Sequence, residues 1–497
     1  EQGAASRIAT EDGARGRLSV YRSASLHHTL FAALNAPLPP EQSMLFVDGN
    51  SAGAIFDIEN ETEAPILHSL PQSLPYRLRK PGRVLLLGES TGLNVWLALA
   101  HGADFVTVVQ PNPELTHLLE TELADRGGSV FGRPGVQVIN RSPRLFLEAE
   151  GPEFDLIQFV SAEGMPAVSG GLASLQEDYL LTVEGVGAAL DRLSEDGVLS
   201  VTRGLQTPPR DNIRVLALLS SALRHRGRMP GERILQARNY LAATTIASRS
   251  PLTGAEIRHI RGQAANLLMD IDYFPGMRPS DATEINRLAG GTDGVSEYHA
   301  AARVLTGDEW NEYLENSRFI LRPPTDDRPY FHSFFRPGSI LRHIQEFGPN
   351  WFNSLELGSV VVVVTLVGVL VLGALFITLP AIVSRTGAAG PEKGHVSRPG
   401  PMIRQWSITQ VLIHFSLIGF GFMFVEMVSI QRLIRFLDDP LIAATAVLSA
   451  ILVFAGLGST LHARVRLPEQ LRIPAAALAV AVLAVLHGEL ADQISCS

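Results

Sequence analysis

Cysteine is almost absent: Cys496, near the end, is the one cysteine among 497 residues. A single thiol excludes an intrachain disulfide and a cysteine-built metal cluster, and it does not discriminate between redox compartments. A basic excess is absent as well. Lys and Arg number 41 against 50 Asp and Glu, for a formal net charge of −9. The chain therefore has no electrostatic footprint for nucleic acid. Charge of either sign is scarce, at 18%, against about 25% in ordinary soluble domains. The hydrophobic share is 46%, and its surplus is gathered between residues 355 and 490. The chain opens on Glu1, and no signal peptide precedes Ser6 or Arg7. It is read as a fragment or processed product, with upstream segments expected.

The apolar surplus reads as membrane spans. "LGSVVVVVTLVGVLVLGALFITLPAIV", residues 357–383, carries no charge and is long enough to cross a bilayer with some tilt. "SITQVLIHFSLIGFGFMFVEMVSI" (407–430) and "LIAATAVLSAILVFAGLGSTL" (441–461) read as two more. A fourth is expected from Ile473, although that apolar run is short. Gly419, Gly421, Gly456 and Gly458 suit close helix packing in lipid. Glu426 and His414 lie inside the second span. An intramembrane carboxylate is costly and is usually paired or functional. Two readings stay open: an interfacial pair with Arg432 or Arg435, and an ion pathway. Arg385, Lys393, Arg398, Arg404, Arg464, Arg466 and Arg472 fall on one side of these spans. The positive-inside rule then places the large N-terminal region outside the cytoplasm, by a small margin.

Before the spans, residues 18–60 read as short β segments with a turn at "DGN" (48–50). From Arg83 the pattern alternates. "RVLLLG", "FVTVVQ", "VQVIN", "FDLIQFV" and "GVLSVTRG" are strands, with amphipathic helices between them. Short connections predict a doubly wound parallel α/β sheet. Ligands of such sheets bind beyond the carboxyl ends of the strands. The expected organisation is an N-terminal β region (1–80), an α/β domain (81–350), a first transmembrane helix (351–384), a basic loop (385–406) and about three further transmembrane helices (407–490).

The succession "LFVDG", "VLLLGESTG", "FVTVVQPNP", "SPRLFL", "FDLIQ" and "GVLSVTR" resembles the spermidine synthase family over roughly residues 18–205. That resemblance implies a Rossmann-like class I S-adenosylmethionine-type fold with an N-terminal β domain. "DYLLTVE", "TPPRD", "YFPGMRP", "TDDRPYF" and "GFMFVEMVSIQRLI" are similar to a bacterial branch that fuses this domain to membrane helices. The implied location is the bacterial inner membrane, crossed more than once.

The resemblance also implies site residues, and here the chain departs from the family. The first turn keeps Gly88 and Gly92, but Glu89, Ser90 and Thr91 stand where the family has glycines and an acid. Gln110 replaces the acid that holds both ribose hydroxyls. An amide has one acceptor oxygen, and the lost charge-assisted bond weakens binding by about 1–2 kcal/mol. Ser142 replaces the acid facing the adenine amine, while Arg144 is retained. Val160 replaces the gate-loop acid that receives the acceptor's proton, leaving Glu163 as the nearby carboxylate. His68 and Ser69 stand for the family's His-Glu pair.

The lost carboxylates argue against a polyamine, whose charges would be desolvated without matching anions. Arg203, Arg210 and Tyr179 are candidates for an anionic or membrane-associated acceptor, with Tyr179 and Glu163 taken as catalytic. The alternative is a salt bridge from Arg210 to Asp211 or Asp178. "TDDRPYF" (325–331) reads as a tie between soluble and membrane domains. Two functions compete. One is a membrane-anchored transferase using S-adenosylmethionine or its decarboxylated form on an unknown small-molecule acceptor. The other is an inactive ligand-binding domain on a transporter-like bundle. No metal is expected, and the β region is a candidate homo-oligomer contact.

Overall fold

The computed structural model describes residues 5–23, 26–28, 31–160, 174, 176–206, 208–286, 297–348, 357–379, 408–437 and 439–462. By its contacts the chain divides into two units, Glu1–Met402 and Ile403–Ser497.

The first unit opens with a four-stranded antiparallel meander of β1 (Ser6–Gly13), β2 (Gly16–Arg22), β3 (Gln42–Val47) and β4 (Asn50–Phe56). Asp48 and Gly49 join β3 to β4, both at positive φ (50° and 79°). Two left-handed residues give the tight turn whose twist matches the paired strands. The "DGN" signal thus acts as expected, whereas β1 is a strand that sequence periodicity missed.

The main sheet follows. Its parallel strands are β5 (Arg83–Leu87), β6 (Phe105–Val109), β7 (Val136–Ile139), β8 (Phe154–Phe159) and β9 (Leu193–Gly204). Three antiparallel strands extend it: β10 (Ile234–Arg238), β11 (Ala242–Ser248) and β12 (Asp270–Tyr273). The sheet order is β12-β10-β11-β9-β8-β5-β6-β7. The five parallel strands are those expected from sequence, and they form the doubly wound class I arrangement.

Burial explains the continuous apolar runs. Val84 and Leu86 enter one core cluster, Leu85 and Leu87 the other. Both faces of β5 are covered from Val84 to Leu87, so no position in that run favours a polar residue. The chain winds from β5 outward to β7, then crosses to β8 on the other side of β5. The crevice at the carboxyl ends of β5 and β8 is the topological switch point, where ligands of this architecture bind.

Near the end of the first unit, helix Ile340–Phe347 precedes the apolar helix Leu357–Gly373, which continues as a π-helical turn over Ala374–Thr378. The second unit contains helices Ile408–Leu437 and Pro440–His462, packed on each other. Two described helical stretches, Ile413–Ile434 and Pro440–Thr460, are long and apolar enough to cross a membrane, and their apolar side chains are largely uncovered by protein. Val360–Phe376 is shorter. The expected span near Ile473 lies outside the described residues.

Candidate functional site

At the carboxyl end of β5 the chain must turn sharply into helix Leu93–Ala100. Gly88 and Gly92 take φ of +84° and +81°. A Cβ on Gly92 would stand 2.8 Å from Val130 Cγ1, so conformation and space both require glycine. Gly92 also occupies the N-cap position and brings no capping side chain. Glu89 supplies the cap instead. Its Oε1 accepts from the amides of Thr91 (2.8 Å) and Gly92 (2.9 Å), and its Oε2 from the Asn94 amide (3.0 Å) and Asn94 Nδ2 (2.7 Å). A buried carboxylate is stable there because it satisfies orphan donors at the positive end of the helix. Gln110 closes the loop from β6: its Nε2 donates to the Glu89 carbonyl (2.7 Å), and its Oε1 accepts from the Asn112 amide (3.1 Å). The first turn is therefore bonded to itself through both residues.

After β7, Ser142 is the N-cap of helix Pro143–Glu148 but makes no capping bond. Its hydroxyl is buried and has no hydrogen-bond partner among the described residues. Arg144, also buried, is fully engaged. It donates to Glu148 Oε1 (2.8 Å), Asp326 Oδ2 (2.9 Å) and the Tyr179 carbonyl (3.3 Å). Asp326 accepts further from Thr182 Oγ1 (2.7 Å), and its amide donates to Glu184 (3.0 Å). Backbone bonds from Asp178 to Pro329 and from Val183 to Pro324 complete the seam. The "TDDRPYF" segment thus ties to the α/β unit, through Arg144, Thr182 and Glu184. The Phe146 ring on the same helix lies beneath the Arg192 guanidinium at 5.3 Å.

A third group stands beyond β9. Phe159 pairs with Val201 in the parallel register, so Arg203 emerges beside the end of β8. Arg203 Nε donates to Asp211 Oδ1 at 2.7 Å, and its guanidinium lies 5.4 Å from the Phe331 ring centre. Asp211 is thus paired with Arg203 and not with Arg210, whose guanidinium faces Phe319 and Phe334 at 5.3 and 5.9 Å. On the other side of Asp211, His332 Nδ1 stands 3.8 Å from Oδ2. Burial holds His332 below its usual pKa. Arg203 and Arg214 push the same way, against Asp211 and Asp178. The imidazole is therefore neutral at pH 7, with a carboxylate beside one nitrogen. His332 escaped sequence reasoning, although it follows the "TDDRPYF" motif directly. Asp178 caps its own loop through the amides of Leu180 and Leu181. Tyr179 donates its hydroxyl to Glu177 Oε2 (3.1 Å), while Tyr330 donates to Oε1 of the same carboxylate (3.1 Å).

The structure thus gathers Gly88, Glu89, Gly92 and Gln110 in one network, Arg144 and the Tyr179 loop in a second, and Arg203 with His332 in a third. Glu163 lies outside the described residues. His68 is placed elsewhere. Its Nδ1 lies 3.3 Å from His101 Nε2, just past the end of helix Leu93–Ala100. That helix runs back along the sheet for about 12 Å, so His68 stands at the edge opposite the Gly88 turn.

His101 is stacked on Tyr76, and burial, His68 and Arg77 push its pKa down to about 4. The sign of the linkage follows: the unfolded chain takes up this proton first. The stability contributed by neutral His101 is full above pH 6.5 and is lost as pH falls toward 4. His101→Phe is expected to flatten that part of the thermal-midpoint profile, measured by circular dichroism between pH 7 and 4. A profile that keeps its acid slope would assign the loss to other groups.

Among the described residues, no group of three or more His, Cys, Asp or Glu is placed to hold a metal ion. No protein-family model matches the chain, and no curated protein matches it. Solved structures similar to it include a spermidine synthase in complex with the transition state analogue AdoDATO, at 17% identity and a TM-score of 0.35, covering 52% of this chain and 77% of that one. A spermidine synthase from Thermotoga maritima is 16% identical at the same TM-score, over 51% of this chain and 75% of that one. A probable spermidine synthase from Corynebacterium glutamicum is 14% identical at 0.35, over 52% and 86%. On the order and direction of its own strands, with the antiparallel meander in front, the α/β unit has a spermidine-synthase-like fold.

Proposed function

We propose that the chain is a membrane-anchored transferase that takes S-adenosylmethionine or its decarboxylated form and transfers a methyl or aminopropyl group to a non-polyamine acceptor. One observation carries the reading: the Asp211–His332 pair stands beside the end of β8, where Val160 offers no acid. In the proposed step the acceptor's lone pair attacks the carbon bonded to the sulfonium. The C–S bond breaks with its electrons going to sulfur, and the acceptor's proton goes to His332 Nε2. Asp211 holds the ring and stabilises the imidazolium that results. Arg203 and Arg210 favour an anionic acceptor. The adenosyl group belongs over the β5–β7 ends, with Gly88 and Gly92 leaving room for it and Ser142 facing the base. The helices of the second unit anchor the chain in the bacterial inner membrane, and the N-terminal meander is the candidate contact with a second copy.

The test is calorimetric titration of the full chain in detergent with S-adenosylmethionine, its decarboxylated form and methylthioadenosine. Heat with at least one of them supports the reading, and silence at millimolar ligand sinks it. Silence would favour the second reading, an inactive domain. That reading has its own observation, since Glu89 and Gln110 already satisfy each other's loop.

Ser142 separates ligand contact from packing. A buried hydroxyl without a partner costs about 1–3 kcal/mol, which a ligand bond would offset. Ser142→Ala should leave the free chain as stable or more so, and weaken nucleoside binding roughly fivefold, about 1 kcal/mol. Unchanged affinity in the same titration would remove Ser142 from the site.

A further inference from the structure

Helix Ile340–Phe347 is amphipathic, and its apolar stripe is left uncovered. Ile340, Leu341 and Ile344 share one side of it and are 36%, 75% and 40% exposed. Arg342 projects from the other side and donates from Nη1 to the Asn316 carbonyl at 3.2 Å. A helix packed for water would bury its apolar stripe and expose its cation. This one leaves its apolar stripe uncovered, and Arg342, although bonded to Asn316, is exposed as well. The same Arg342 lines a cleft of about 240 Å³ with Tyr313, Asn316, Phe319 and Arg318. At its rim Arg318 Nη2 meets both oxygens of Glu297, at 2.9 and 3.2 Å. Chain continuity says what covers the stripe. Nine residues separate Phe347 from Leu357, where the uncharged helix Leu357–Gly373 begins.

We propose that helix Ile340–Phe347 lies in the membrane interface and seats the α/β unit on an anionic lipid surface. Its apolar stripe enters the acyl boundary, and Arg342 and Arg318 stand at headgroup height around the cleft. An interfacial helix buries its apolar side by about 5–10 Å while its cations meet lipid phosphates. The arrangement brings the cleft to the bilayer, within reach of a headgroup. The inference rests on the membrane attachment proposed above, but not on the transfer reaction.

The test uses the full chain in nanodiscs. Replacing Cys496 by serine leaves a chain without cysteine, into which Leu341→Cys, Ile344→Cys, Val364→Cys and Glu120→Cys are introduced one at a time and labelled with an environment-sensitive fluorophore. Labels at 341 and 344 are expected to be quenched by doxyl lipid and shielded from aqueous iodide, as at 364 and opposite to 120. Lipid quenching at 341 should be greater with phosphatidylglycerol than with phosphatidylcholine alone, and Arg342→Gln should abolish that difference. Iodide access at 341 and 344 with lipid quenching at 364 overturns the inference and leaves the membrane attachment standing. Iodide access at 364 as well overturns both. Disulfide-linked dimers through Leu341→Cys would give the stripe to a second copy of the chain and overturn the lipid assignment. Equal quenching in the two lipids overturns the anionic requirement.

Discussion

Arg144→Met is expected to destabilise the α/β unit by about 3–5 kcal/mol, the usual result of removing one partner from a buried ion pair. The side chain of Arg144 is 7% exposed and that of Asp326 is 17% exposed. Without the guanidinium, Asp326 loses its ion pair while the bond from the Thr182 hydroxyl remains, and the carbonyl of Tyr179 loses its contact with Arg144. At about 2–4 °C per kcal/mol, the thermal midpoint should fall by about 6–20 °C. Near-ultraviolet circular dichroism of the detergent-solubilised chain reads it. A double-mutant cycle with Asp326→Asn should show strong coupling, because each change removes the same pair. The resemblance to spermidine synthases assigns Arg144 to the adenosyl site. A variant with an unchanged midpoint and weakened adenosyl binding would favour that assignment over the structural one.

His332→Gln is expected to reduce transfer by about 10²–10⁴, the range for removal of a general base. The measurement is release of the nucleoside thioether by the full chain in nanodiscs supplied with a membrane extract as acceptor source. The pH dependence has a definite sign. His332 titrates below 6.5 because burial disfavours its charged form, so the base form dominates at neutral pH. Activity should be flat near pH 7 and decline as pH drops through the folded pKa. The His332→Gln profile should lack that acidic limb. Stability moves the same way, being full above pH 6.5 and lost below it as the unfolded chain takes up the proton first. Asp211→Asn should keep the ring but weaken its orientation, lowering turnover more than ligand affinity. A His332→Gln chain that releases thioether at the parental rate would leave Asp211 and Arg203 as a structural pair.

The two predictions address different ranges of information in the chain. The β5 strand is legible because Val84–Leu87 is one apolar run between Arg83 and Gly88, and a strand buried on both faces needs nothing else. β8 is legible from Phe154, Leu156, Ile157 and Phe159, although Asp155 and Gln158 interrupt its apolar run. The antiparallel strands β10 to β12 were not legible. "ILQAR" and "AATTIAS" carry polar residues that are buried only through partners in the sheet. Gln236 reaches Thr245, Thr202 meets Thr244, and Arg238 reaches Asp272. No local period announces such partners.

The site divides along the same line. That Gly88 and Gly92 form the first turn follows from the sequence, since a glycine-bounded turn after an apolar strand is a local feature. The positions of Gln110, Ser142 and Val160 are equally local, because each follows a recognisable strand. What these residues touch is not. Glu89 is a capping carboxylate only once the helix amides converge on it, and Gln110 bonds to it only once β6 lies beside β5. Arg144 and Asp326 are 182 positions apart, and His332 reaches Asp211 only after the chain returns across the end of β9. The sequence by itself determined the apolar runs, the turns and which residues stand at the strand ends, since backbone propensity and hydrophobic period act over a few residues. Tertiary structure alone decided which charge meets which, because a buried ion needs a partner and only the folded path of the chain brings one within hydrogen-bond distance.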